Sequence, residues 1–204
     1  MKLLIATRNR GKLEEIRFLF DLSKLKTISV LDLPVMPEEV EEDGQTFEEN
    51  ARKKALELAL ETGLWTLADD SGLEVDALNG APGVYSARYA GDDATDEGNN
   101  IKLLEQVGEN KNRQARFCCV IALCSPAGHA RVVEGACKGA IAERSRGNCG
   151  FGYDPLFVPW GETKTFAELT PEKKHALSHR GVALKKAKKA WKTVLSQEHF
   201  DGEG

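Results

Sequence analysis

Leu3-Leu4-Ile5-Ala6-Thr7-Arg8-Asn9-Arg10-Gly11-Lys12-Leu13 opens the chain with an apolar run, a polar turn and the start of a helical pattern. Four consecutive apolar residues suit a strand buried on both faces. Leu13, Ile16, Leu19 and Phe20 then recur at helical spacing, so a helix begins near Gly11. Strand, turn and helix are the repeating step of an α/β protein, and the rest of the chain continues it.

Thr46-Phe47-Glu48-Glu49 has the form of a capping box. The helix it starts carries an apolar stripe of Phe47, Ala51, Ala55, Leu58 and Ala59 and ends at Gly63. Trp65-Thr66-Leu67-Ala68 reads as a strand that delivers Asp69 and Asp70 to its end, with Leu73-Glu74-Val75-Asp76 as a further short strand. Asn79 to Gly83 is loop by its punctuation, and Ile101, Leu104 and Val107 predict a helix over 95–107. Arg113 to Leu123 and Arg131 to Ile141 read as strands joined by a Ser125-Pro126-Ala127-Gly128 hairpin. Thr170-Pro171-Glu172 starts a short helix. Ser178 caps the last one, whose stripe is Ala183, Ala187, Ala190, Trp191 and Val194, and the tail Asp201 to Gly204 is expected to fray. Strands alternating with helices, plus one long hairpin, predict an α/β domain with a mixed sheet.

Size and composition bound the function. A chain of 204 residues, 41% hydrophobic and 29% charged, can fold around a sizeable core as one domain. A net charge of −4 argues against a general nucleic-acid or anionic-membrane binder, so an anionic ligand would need a local basic pocket. The five cysteines contain no C-x-x-C pair, which points to reduced thiols rather than a zinc site or a disulfide framework. Leu3 to Ala6 is too short for a signal-peptide core or a membrane span, and the expected compartment is the cytoplasm.

Four segments carry chemistry, with one helix face beside them. The turn Thr7-Arg8-Asn9-Arg10-Gly11-Lys12 offers backbone N–H groups, a hydroxyl, an amide and three cations to phosphate oxygens, without the spacing of a Walker A loop. In Asp69-Asp70-Ser71-Gly72 two adjacent carboxylates repel, so a fold that keeps both has a cation or proton to share, and Mg2+ prefers such oxygens. Asn50, Lys54 and Glu57 share a helix face; Lys53 is expected to pair with Glu49, leaving Lys54 the freer cation. In Ser178-His179-Arg180-Gly181 two potential cations oppose a helix dipole, a local cost that marks a ligand contact, with Lys173 and Lys174 just upstream. Phe151-Gly152-Tyr153-Asp154-Pro155 joins flat rings, bare backbone and one carboxylate, a place for a planar base to stack and be read at its edge. Lys185, Lys186, Lys188, Lys189 and Lys192 read as a solvated helix face. A nucleotide with Mg2+ would use all four segments.

These segments, with Thr46-Phe47-x-Glu49-Asn50-Ala51 and Gly80-Ala81-Pro82-Gly83-Val84-Tyr85-Ser86-Ala87-Arg88-Tyr89, occur in an order that resembles the inosine triphosphate pyrophosphatase family over nearly the whole chain. The resemblance implies an elongated mixed β-sheet flanked by helices, two lobes with a central active-site cleft within one domain over 1–204, and a homodimer. It implies Mg2+-dependent hydrolysis of the purine nucleoside triphosphates dITP, ITP and XTP to the monophosphate and pyrophosphate. Carried over by motif, Thr7, Arg8, Asn9, Arg10, Gly11 and Lys12 hold phosphates, and Asp70 is general base and metal ligand. Ser71 and Lys174 touch substrate, and Phe151, Gly152, Tyr153 and Asp154 form the base pocket with His179 and Arg180. An upstream acidic metal ligand falls at Glu41 or Glu42, with Glu41 preferred. Water oriented by Asp70 would attack the α-phosphorus while Lys12, Lys54 and Lys174 stabilise charge on the leaving pyrophosphate. Two other classes compete: a phosphatase releasing orthophosphate, and a nucleic-acid module using the lysine-rich last helix, against which the net acidity counts.

Overall fold

The structure, a computed structural model, describes residues 2–19 and 26–195. In chain order it contains β1 (Lys2–Ile5), α1 (Arg10–Leu19), β2 (Lys26–Ser29), α2 (Phe47–Thr62), β3 (Trp65–Val75), α3 (Asp96–Val107), β4 (Gln114–Cys124), β5 (Ala130–Ile141), β6 (Phe157–Pro159), α4 (Pro171–Leu177) and α5 (His179–Ala190). The strands form one six-stranded sheet in the order β2-β1-β3-β4-β5-β6. β1 pairs in parallel with β2 and β3, and β5 pairs antiparallel with β6, so the sheet is mixed as expected. Because β1 has a partner on each side, Leu3, Leu4 and Ile5 are all enclosed, which is why that strand reads as a continuous apolar run.

The chain groups into two compact units, one of Met1–Asp70, Cys119–Gly135 and Ala183–Gly204, the other of Ser71–Cys118 and Ala136–Val182. Each has its own core. In the first, Ile5, Ile16, Leu67, Ile121, Leu184 and Trp191 pack together. In the second, Phe117 meets Phe157 edge-on with centroids 4.8 Å apart, among Leu73, Leu103 and Phe166. Among the described residues, no helix is long and apolar enough to cross a membrane. The five cysteines are free thiols.

Local signals set the helix ends. Thr46 Oγ1 accepts from Glu49 N–H at 3.1 Å while Glu49 Oε2 accepts from Thr46 N–H, and Gly63 closes α2 in the left-handed region at φ 65°. Thr170 caps α4, and Ser178 Oγ accepts from Gly181 N–H at 3.0 Å at the start of α5. All five stripe residues of α2 are buried.

Other expectations are corrected. β3 does not break at its polar centre but runs from Trp65 to Val75 as one strand. It lies between β1 and β4, and pairing within the sheet overrides the turn-like composition of Asp69-Asp70-Ser71-Gly72. Leu103, not Ile101, faces the core from α3, and in α5 Leu184 is buried where Ala190 is exposed. Lys53 bonds Asp43 at 2.7 Å, because the Glu49 carboxylate is already engaged in the cap. Phe20 and the tail 201–204 lie outside the described residues.

Candidate active site

In the first unit the chemistry gathers around β3. Asp69 is enclosed, with Lys12 Nζ 3.3 Å from its Oδ2. Lys12 is aimed by the turn before it: Thr7 Oγ1 accepts from Asn9 N–H, and Asn9 Oδ1 accepts from Lys12 N–H at 2.9 Å, capping α1. Asp70, also buried, accepts from Asn50 Nδ2 at 3.2 Å. Asn50 is in turn fixed by the Gly44 N–H donating to its Oδ1 at 2.8 Å. A Cβ on Gly44 would stand 2.6 Å from that oxygen, so only glycine fits there. Lys54 pairs with Glu42.

The electrostatics follow from this packing. Burial pushes the Asp70 carboxyl above its ordinary value, and Glu42 adds to that. Lys12, Lys54 and the Asn50 hydrogen bond pull the other way without cancelling it. Burial alone would lower Lys54, but the charges of Glu42, Asp69 and Asp70 outweigh it and hold the ammonium above its usual value. A carboxylate that binds a proton more readily than usual, beside fixed ammonium groups, is suited to take a proton from water next to an anion.

Of the expected phosphate residues, Thr7 is buried, Gly11 and Lys12 are half-buried, and Arg8, Asn9 and Arg10 are exposed. Arg8 turns to Pro37 O (2.7 Å) and Glu39 (3.3 Å). Lys54 is not the freer cation but a half-buried, paired one. The two candidate acids separate: Glu41 is exposed and its charge acts on Lys53, whereas Glu42 joins Lys54 and acts on Asp70. Successive side chains of an extended segment face opposite ways, so only one of two neighbouring acids can turn inward. Glu42, Asp69 and Asp70 are hard oxygen donors of the kind Mg2+ takes. Among the described residues no group of three or more His, Cys, Asp or Glu side chains is set to hold an ion by itself. Mg2+ is commonly held by one or two carboxylates plus substrate phosphates.

In the second unit the other candidates meet. Asp154 Oδ2 accepts from Lys174 Nζ at 2.6 Å, both residues being buried, and from Phe151 N–H at 3.0 Å. A Cβ on Gly150 would collide with that carboxylate, and its φ of 81° also favours glycine. Lys174 Nζ lies 4.9 Å and Arg180 Cζ 5.9 Å from the Phe151 ring centroid. Arg180, 1% exposed, donates to Ser71 Oγ at 2.9 Å. One ring edged by two cations and a carboxylate suits a planar ligand with carbonyl acceptors.

Three further expected base-pocket residues have partners within the protein. Tyr153 is buried in the second core with its hydroxyl donating to Ser86 O at 2.8 Å, so its ring is not a stacking platform. His179 stacks on Phe117 at 4.6 Å between centroids. Gly152 has its N–H bonded to Asp96 Oδ2 (2.6 Å) and its carbonyl bonded to Asn100 Nδ2 (3.0 Å), so that N–H is not presented to a ligand. Sequence reasoning missed Asp96 and Asn100, and did not place Asn50 at Asp70. Each is a polar residue inside or at the start of a helix whose partner comes from a distant turn or strand.

Comparison with known proteins finds relatives over nearly the whole chain. The model of the Ham1 family matches residues 3–190. A dITP/XTP pyrophosphatase of Geobacter sulfurreducens is 52% identical over 205 residues, covering 100% of this chain and 98% of that protein. One from Desulforamulus reducens is 53% identical over 190 residues, covering 92% and 94%. Among solved structures, the Ham1 protein of Staphylococcus aureus superposes with a TM-score of 0.86 at 40% identity, covering 95% of this chain and 100% of that one. The nucleoside-triphosphatase / dITP/XTP pyrophosphatase of Mycobacterium abscessus gives 0.75 at 49% identity, covering 92% and 98%.

Proposed function

The chain belongs to the Ham1 family, and from that premise we propose that it hydrolyses the non-standard purine nucleoside triphosphates dITP, ITP and XTP to the monophosphate and pyrophosphate. Two clusters, one within each unit, support the reading most. Asp70 is anchored among the ammonium and carboxylate groups of the first unit, and the next residue, Ser71, is tied to the Arg180 of the ring-and-cation cluster of the second. The first set suits a triphosphate and an attacking water; the second suits a purine base.

Lys12 and Lys54 receive phosphate oxygens as ammonium donors. Asp70 orients a water and takes its proton as the water oxygen bonds to the α-phosphorus. The bond from that phosphorus to the bridging oxygen breaks, and pyrophosphate leaves with the electron pair. Mg2+ held by Asp70 and Glu42 with phosphate oxygens would supply neutralisation of the triphosphate charge. Asn50 keeps the Asp70 carboxylate turned to its task.

Base choice follows from donor chemistry. Arg180 and Lys174 carry only N–H donors, which a 6-oxo purine can accept. The 6-amino group of adenine would face them with donors of its own, a penalty on the order of 1–3 kcal/mol for each buried group left unmet. The family resemblance extends the reading to a cytoplasmic homodimer of single-domain protomers. The net charge of −4 favours a small anion in a local pocket over a nucleic-acid polymer as partner.

Incubating ITP, dITP, XTP, GTP and ATP with and without Mg2+ and separating the products by chromatography tests the reading. Monophosphate and pyrophosphate from the first three, in the presence of Mg2+, are expected. Orthophosphate as the first product would instead make the protein a phosphatase.

A further inference from the structure

We propose that Asp96 and Asn100 of α3 are positioning residues for base recognition, fixing the Gly152 peptide from which the Phe151 ring and the Asp154 carboxylate are hung. The assignment rests on the reading of the second-unit cluster as the purine site.

The two side chains lie one helical turn apart, so they share a face of α3. They engage both ends of one residue: Gly152 N–H donates to Asp96 Oδ2 at 2.6 Å, and Asn100 Nδ2 donates to Gly152 O at 3.0 Å. Gly152 is the position where this turn needs holding. Its φ of 59° is left-handed, and glycine exchanges such conformations at little cost. On either side of it, Phe151 N–H bonds the Asp154 carboxylate and Asp154 N–H bonds Phe151 O. Rotation of the Gly152 peptide would therefore turn the ring away from Lys174 and Arg180 and turn the carboxylate with it.

The clamp is itself rigid. Asp96 sits in the first turn of α3, and Thr95 Oγ1 caps that turn by accepting from Gly98 N–H at 3.1 Å. Asn100 is buried, and its neighbour Asn99 pins the same helix to the preceding loop through Ala87 O (3.0 Å) and Ala90 N–H (2.8 Å). The bonds of Asp96 and Asn100 go to the Gly152 peptide, so their influence on turnover runs through the turn.

The test compares wild type with Asp96→Ala, Asp96→Asn and Asn100→Ala. It measures kcat and KM for dITP and ATP with Mg2+, the thermal midpoint, and hydrogen exchange of the Gly152 amide in nucleotide-free protein. Asp96→Ala should raise KM for dITP about tenfold and narrow the dITP-to-ATP ratio of kcat/KM by a similar factor, the loss expected of one hydrogen bond to a charged group. Saturated turnover should stay within about twofold, since the step at Asp70 is untouched. The Gly152 amide should exchange faster. Asp96→Asn, which keeps an acceptor oxygen in place, should recover most of both effects, and Asn100→Ala should shift KM and ratio in the same direction. Unchanged exchange at Gly152, or unchanged KM and ratio in folded variants, overturns the proposal. So does a fall in kcat alone that tracks the thermal midpoint. If Asp96→Ala does not fold, Asn100→Ala decides on the same readouts. A wild type that fails to turn over dITP sinks the proposed function instead, and the amide exchange still judges the clamp.

Discussion

Arg180 donates to Ser71 Oγ at 2.9 Å across 109 positions of sequence, with its guanidinium 5.9 Å from the centre of the Phe151 ring. A guanidinium at 1% exposure has lost nearly all its water, a desolvation that costs several kcal/mol before any partner repays it. Its place at the start of α5 adds an unfavourable dipole. Such a group is retained where its fork of donors recognises something.

Arg180→Ala should lower kcat/KM for dITP at least about tenfold while changing that for ATP little, because only the 6-oxo base uses the donors. Arg180→Lys should restore charge but not discrimination, lacking the planar fork. Parallel losses for both nucleotides, measured in one competition assay, would falsify this role.

Asp70→Asn should reduce turnover by about 10²–10⁴-fold, the contribution of a positioned general base. The same change should stabilise the metal-free protein. Burial raises the Asp70 carboxyl above its unfolded value, so ionising it costs the folded state stability at neutral pH, a cost absent once the pH falls below both values. In chelator at pH 7 the variant should melt higher than wild type. The gain should shrink as the pH is lowered into the range where the wild-type carboxyl is protonated. A melting point that falls at neutral pH contradicts the account.

Glu42→Gln should raise the Mg2+ concentration needed for half-maximal turnover, and Glu41→Gln should not. The difference follows from the inward Glu42 beside Lys54 and the outward Glu41 beside Lys53. Titrating Mg2+ at saturating dITP checks it, and equal shifts in the two variants would reject Glu42 as a ligand.

Lys174→Met should be strongly destabilising, by about 3–5 kcal/mol, because it leaves the Asp154 carboxylate buried without its cation. Adding Asp154→Asn should recover much of that stability while activity stays low. Denaturant melts of the two single variants and the double variant measure the coupling.

Gly150→Ala should cost stability and base recognition together. The new methyl would meet the Asp154 carboxylate, and the backbone there is left-handed. A variant with wild-type KM for dITP would mean the turn has room that the packing does not show.

The parts of this molecule that were legible in its sequence are those fixed by near neighbours. Thr46, Gly63, Thr170 and Ser178 mark helix ends through bonds to residues two to four positions away, and the α2 stripe is a period of one helix. β2 and β6, four and three residues long, are too short to show a period. β3 was read as two pieces because turn-forming residues were judged without the strands on either side of them. Asn50, Asp96 and Asn100 were hidden for a related reason. Their partners lie 20, 56 and 52 positions away, and a lone polar residue in a helix carries no sign of what it will meet. The motif order disclosed which segments matter; only packing distinguished the inward Glu42 from its neighbour.

Three consecutive residues of β3 are addressed to three different recipients: Asp69 to Lys12, Asp70 to Asn50, Ser71 to Arg180. Upstream, Leu67 is locked opposite Ile5. The segment therefore tolerates exchange of one side chain for another far better than any change in its length. Inserting or deleting a single residue between Leu67 and Ser71 would turn each group away from its recipient and would also turn Leu73 and Val75 out of the second core, so the length of this stretch is held by site and core together.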